Sequence, residues 1–118
     1  IAENAVKMMN EVYGCDCSDI LAAIGPSIGK CCFETGDEVY REFSDKMDWS
    51  GKYCEKKPDG KWNIGLQGII KETLVRAGVP EGNITVSNIC TMCNRDLFFS
   101  HRGDKGRTGR MAAIMQLL

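Results

Sequence analysis

Glycine and proline cut this sequence into pieces too short for most architectures. Gly14, Gly25-Pro26, Gly29, Pro58-Asp59-Gly60, Gly78 with Pro80, and the run from Gly103 to Gly109 interrupt each apolar pattern before it grows long. Pieces of that length suit short helices and short buried strands in alternation, which is an α/β (α+β) fold. No apolar run nears the roughly 20 residues that span a bilayer, so no membrane partner is expected. A chain of 118 residues holds one domain. With 43% hydrophobic and 26% charged residues it has the material for a core, which excludes a disordered tail or a collagen-like fibre.

The periodicities predict the elements. Apolar residues at Ala2, Ala5, Val6, Met9, Val12 and Tyr13 predict a helix closed by Gly14. Asp19 to Ile24 is an apolar run halted by Gly25-Pro26 and predicts a buried strand. Gly25 to Gly29 then reads as a tight loop whose glycines admit a close ligand. A second helix is predicted from Thr35 to about Met47, a hairpin over Tyr53 to Asn63 turning at Pro58-Asp59-Gly60, and a third helix from Ile64 to Ala77. Ile84-Thr85-Val86 predicts a β-branched strand, and Met111 to Met115 another.

Seven cysteines stand at 15, 17, 31, 32, 54, 90 and 93. The odd count and irregular spacing do not form a disulfide framework, so reduced thiols in a cytoplasmic setting are expected. Cys90-x-x-Cys93 has the spacing of a zinc site or a thioredoxin-type redox pair, but a full zinc tetrahedron would need Cys15 and Cys17 beside it, and His101 is the one histidine. No metal is therefore expected on this chain.

Charge is asymmetric. Residues 1–60 carry 12 acids and 7 bases, a balance of −5, while residues 61–118 carry 4 acids and 8 bases, a balance of +4. Overall the charge is −1, which does not suit a nucleic-acid binder. Arg102, Lys105, Arg107 and Arg110 surround Asp104, and such a turn is either a solvated basic surface or a site for phosphate or carboxylate.

Two stretches carry a resemblance. One is Ile24-Gly25-Pro26-Ser27-Ile28-Gly29 followed by Cys31-Cys32-Phe33-Glu34-Thr35-Gly36. The other is Cys90-Thr91, then Phe98-Phe99-Ser100-His101-Arg102, then Thr108-Gly109-Arg110. In this order they resemble the YfiH family, also called the laccase-domain or polyphenol oxidase family. The resemblance covers residues 1–118 and implies a layered α/β/β/α fold with mixed sheets. It also implies that these residues form the C-terminal half of a single domain, with the N-terminal half absent as a partner. Ile1, set inside a helical pattern, agrees with that expectation.

The same resemblance implies a metal-dependent purine nucleoside enzyme that phosphorolyses adenosine, inosine or methylthioadenosine and deaminates adenosine. Its zinc or copper is held by two histidines and a cysteine of the absent half, so this half alone is expected to be inactive and without metal. A copper-dependent polyphenol oxidase and a peptidoglycan-precursor editing hydrolase are the alternatives. The residues expected to face nucleoside and phosphate are Gly25, Ser27, Glu34, Cys90, Thr91, Ser100, Arg102 and Arg110. Arginines would hold phosphate oxygens in pairs, and Glu34 would bond a ribose hydroxyl or a base. Phe98 and Phe99 are expected in the core.

Overall fold

A computed structural model describes residues 1–116 and 118. The chain runs α1 (Ala2–Glu11), β1 (Ala22–Ile24), β2 (Glu34–Thr35), α2 (Asp37–Lys46), β3 (Cys54–Lys56), β4 (Trp62–Ile64), α3 (Leu66–Arg76) and β5 (Ile84–Val86). The strands form two sheets of opposite character. β1 and β5 pair in parallel, with Ala22 opposite Ile84 and Ile24 opposite Val86. β2, β4 and β3 form an antiparallel sheet in that order. A parallel pair needs a crossover, and here everything from β2 to α3 supplies it.

The main core lies where α1 and α3 cover the β1–β5 pair. Val6, Ile20, Ile24, Leu74, Val79 and Ile84 are buried together there. Gly78, at φ +108, ends α3 in a conformation that a side chain would strain, and turns Val79 inward. The antiparallel sheet is closed differently. The Trp62 ring lies flat on Tyr40 of α2 at 3.6 Å between centroids, and its indole N–H donates to Asp37 at 3.0 Å.

The predicted helices, hairpin and Ile84–Val86 strand all appear, with ends moved by a few residues. Two expectations change. The run from Asp19 is a strand only over its last three residues, because Cys17–Asp19 closes a 3-10 turn on the Asp16 carboxylate, which accepts from the Ser18 N–H at 2.8 Å. Met111 to Met115 forms no strand. A strand exists through ladder bonds to a neighbour, and none of the described strands pairs with this segment. Ile114 is 93% exposed as a result.

Apolar surface remains open elsewhere too: Met8, Val12 and Tyr13 of the first helix region and Leu21 beside β1 are exposed. The radius of gyration is 15.8 Å, against about 13.5 Å for a closed domain of this length. The chain is therefore more extended than a closed domain of its length. No helix among the described residues is long and apolar enough to cross a membrane.

Two carboxylates clamp the junctions between elements. Glu34 of β2 is bonded by Lys57 and Lys61 of the hairpin, and Glu72 of α3 by Lys52, Tyr53 and Arg76. Lys57 first and then Lys61 hold Glu34 down from the ordinary 4.5 to about 2, and Lys52, then Tyr53, do the same for Glu72. A carboxyl depressed in the folded state adds stability that is present above its unfolded pKa and is lost as pH falls through the folded one. Urea midpoints should therefore hold near neutral pH and fall progressively from about pH 4.5 toward 2. The Glu34→Gln/Glu72→Gln double variant should be less stable at neutral pH and show a shallower acid slope. Equal slopes would show that other groups set the acid limit.

Candidate functional site

A cavity of about 560 Å³ opens between the two glycine-bounded loops. Ile28 and Phe33 come from the first loop and the approach to β2. Thr91, Phe99, Ser100, His101, Arg102, Lys105 and Gly106 come from the long segment after β5. The two loops meet because Ser27 pairs with Cys90 in an isolated parallel bridge that extends the β1–β5 pairing: Ser27 N–H donates to Ile89 C=O, and Thr91 N–H to Ser27 C=O at 3.1 Å. Loops at the carboxyl ends of parallel strands are where α/β folds commonly open ligand sites.

The basic turn is built around an acid. Asp104 accepts from Thr108 Oγ1 at 2.8 Å and from the Ser100 N–H at 3.2 Å. The Thr108 hydroxyl, then the Ser100 N–H, hold its carboxyl below the usual range. Arg95 reaches the same turn by donating to the Gly103 carbonyl at 2.8 Å. With Asp104 occupied in this way, the cavity lining contains Arg102 and Lys105 and no carboxylate. Ser100 is buried, and its hydroxyl oxygen accepts from the Gly103 N–H at 3.1 Å, which leaves its proton for an acceptor in the cavity.

Of the residues expected at a site, Thr91, Ser100 and Arg102 share this cavity. The others lie elsewhere. Gly25 is exposed and lines no part of it. The Ser27 hydroxyl accepts from Gln67 Nε2 at 3.0 Å and fixes the loop to α3. Glu34 lines a neighbouring cleft of about 450 Å³ that also includes Arg102, and its carboxylate there is bonded by Lys57 and Lys61. Arg110 lines an adjoining cavity that shares Phe99, His101 and Gly106 with the first. Arg102 is itself partly engaged: its Nη1 donates to the Glu34 carbonyl, and the guanidinium lies 5.1 Å from the Phe33 ring centre.

Phe99, expected in the core, is 53% exposed and forms a wall of two cavities. The hydrophobic pattern could not show this, because an aromatic wall and a core aromatic are the same residue type. Ile28 and Phe33 also line the cavity without being among the expected site residues, and Lys105 reaches it from the basic turn.

The thiols differ most from expectation. All seven are free. Cys90 turns away from the cavity, and its sulfur accepts from the Gly29 N–H at 3.2 Å. Cys93 Sγ lies 3.6 Å from Cys31 and 3.5 Å from Cys32. The four sulfurs of Cys31, Cys32, Cys90 and Cys93 all fall within 4.8 Å of one another. The expectation of no metal on this chain rested on the lack of a complete ligand set, and that premise is corrected: Cys31 and Cys32, not Cys15 and Cys17, complete the set. Gly29 is the sequence signal for it, since a Cβ there would come within 3.0 Å of Cys90 Cβ and 3.3 Å of Cys31 Sγ. Burial opposes the Cys90 thiolate, yet the Gly29 and Cys93 N–H groups and the neighbouring thiols outweigh it and bring the thiol to about 6. Bonding to Cys93, then burial, pushes Cys32 up to about 12.

The same residues that build this corner, from the Gly25–Gly36 stretch to the Cys90–Arg110 segment, lie within a match of the family model for multi-copper polyphenol oxidoreductase laccase to residues 1–118. The chain belongs to this family. It is 41% identical over 100 residues to purine nucleoside phosphorylase YlmD of Geobacillus stearothermophilus, covering 83% of this chain and 36% of that protein. It is 39% identical over 112 residues to adenosine deaminase RL5 of an unknown prokaryotic organism, covering 92% and 42%. The crystal structure of the Bacillus licheniformis hypothetical protein YfiH superposes with a TM-score of 0.88 at 39% identity, over 92% of this chain and 41% of that one. This laccase-family chain thus spans about two fifths of the relatives it matches, and its mixed α/β fold is theirs.

Proposed function

We propose that this chain forms the C-terminal part of a purine nucleoside enzyme and supplies the wall that receives the phosphate and the nucleoside. The cavity between the two loops carries the reading, because it joins a cationic, carboxylate-free edge to two aromatic faces. Phosphorolysis brings a phosphate oxygen to the anomeric carbon while the purine leaves with the electrons of the glycosidic bond. The phosphate must be held and the charge that develops must be met. Arg102 offers the guanidinium N–H groups that the Glu34 carbonyl does not use, and Lys105 adds a second positive charge. Ser100 and Thr91 offer hydroxyls to the ribose, and Phe33 and Phe99 offer apolar faces to the flat base.

The relatives named as purine nucleoside phosphorylases and as an adenosine deaminase support this class of substrate. The metal that the family resemblance implies has no counterpart in this cavity. His101, the chain's one histidine, belongs to no group of three ligand-type side chains among the described residues. The apolar surface of α1 and the Met111–Met115 segment are where the rest of the protein would dock.

Thermal melting of the full-length protein tests the substrate class. Inosine or adenosine with phosphate should stabilise it, by about 2.7 kcal/mol at a ligand concentration 100 times Kd. A phenol or a muramyl-amino acid should leave the midpoint unchanged. The reverse pattern would replace this reading with the oxidase or the editing hydrolase.

A further inference from the structure

Independently of the nucleoside reading, we propose that Cys31, Cys32, Cys90 and Cys93 bind one zinc ion in a tetrathiolate centre that staples the two sheets beside the cavity. The ligands come from two segments far apart in the chain. Cys31 and Cys32 lie on the approach to β2, in the antiparallel sheet. Cys90 and Cys93 lie just after β5, in the parallel pair. A tetrahedral zinc with bonds of about 2.3 Å sets its sulfurs about 3.8 Å apart. The sulfurs here are separated by 3.5 and 3.6 Å where they touch, and by no more than 4.8 Å anywhere in the set. That spacing fits a single ion, and an all-sulfur tetrahedral set selects zinc over harder divalent metals.

The surroundings are those of a ligating thiolate. Cys90 is buried, and the Gly29 N–H points at its sulfur at 3.2 Å. Such N–H donors orient and stabilise a metal-bound sulfur. The Cys90 carbonyl accepts from Asn94 Nδ2 at 2.8 Å and from the Asn94 N–H, which folds Cys90 to Cys93 into one tight turn. On binding, each thiol releases its proton to solvent and each sulfur donates a pair to the ion, leaving the centre doubly negative. Of the cations that line the clefts on either side of the cysteines, Lys57 is paired with Glu34 and Lys30 with Glu55, which leaves Arg102 to offset part of that charge. A disulfide would use two of the four sulfurs and leave the other pair without a role, whereas one ion uses all four.

The consequence reaches the cavity. Phe33 follows Cys32 and Thr91 follows Cys90, and both line it. The ion would therefore fix two opposite walls through adjacent peptide bonds.

The test uses the reduced, metal-stripped full-length protein titrated with Co²⁺. Expected are the thiolate-to-cobalt charge-transfer band in the near ultraviolet and the intense ligand-field bands of a tetrahedral ion, both displaced by Zn²⁺. Cys31→Ser and Cys93→Ser should each weaken these bands strongly, while Cys15→Ser and Cys17→Ser should not. Should the serine variants misfold, thiol alkylation of the unmutated protein gives a second reading. Zinc should slow modification of Cys31, Cys32, Cys90 and Cys93 and leave Cys15, Cys17 and Cys54 unaffected. Bands left at full intensity by both serine substitutions, protection of a different set of thiols, or a Cys32–Cys93 disulfide in acid-trapped protein would each overturn the proposal, whereas a weaker residual spectrum belongs to the histidine-cysteine site expected in the other half.

Discussion

Arg102→Ala in the full-length protein should lower the proposed phosphorolysis of inosine by roughly 10- to 150-fold. That range is the rate equivalent of losing a charge-assisted hydrogen bond made in the transition state, about 1.5–3 kcal/mol. The structure sharpens the expectation, because Arg102 also ties the loop to β2 through the Glu34 carbonyl and lies over Phe33. Some loss of melting temperature should accompany the loss of rate. Arg102→Lys separates the two roles: it retains a positive charge but loses the flat guanidinium and its fork of donors. If the arginine serves phosphate, lysine should restore part of kcat/KM, and KM for phosphate should rise in both variants. If it serves the fold alone, the folded fraction of either variant should turn over at the rate of the parent. Arg110→Ala is the control, since Arg110 lines a different cavity, and it should change the rate little.

Ile64→Ala should cost about 2–5 kcal/mol of stability, a large share of the 5–15 kcal/mol typical of a domain. Ile64 is completely buried at the end of β4, opposite Cys54, and its N–H donates to the Phe33 carbonyl at 3.1 Å. Truncation there leaves a void that the paired strands cannot collapse into without moving Phe33, and Phe33 is a cavity wall. Urea unfolding should show the loss directly. Ile64→Val, which removes one methylene, should cost about 0.5–1.5 kcal/mol. A loss below about 1 kcal/mol for the alanine variant would mean that the site relaxes, and that β4 does not anchor this wall.

Local order was legible in the residues. Ile84-Thr85-Val86 announced a strand by β-branching alone, and Pro58-Asp59-Gly60 announced a hairpin, because both signals act within a few residues of backbone. Met111 to Met115 misled for the complementary reason. Its composition suits a strand, but pairing is a property of two segments, and none of the described strands takes it as a neighbour.

Family membership was legible too, because the motifs around Gly25 and Ser100 keep their order and spacing along the chain. The sequence by itself thus determined the helices, the hairpin, the mixed α/β class and the kinds of residue gathered at the two loops. Tertiary structure alone decided which of those residues meet. It put Thr91, Ser100 and Arg102 on one cavity, gave Glu34 to two lysines, and placed Arg110 on an adjoining cavity. It also brought Cys31 and Cys32 to Cys90 and Cys93 across about sixty residues of chain. Chain spacing records neighbours along the backbone, whereas a site is made by the parallel pairing of β1 with β5, which carries the ends of two distant strands to the same edge.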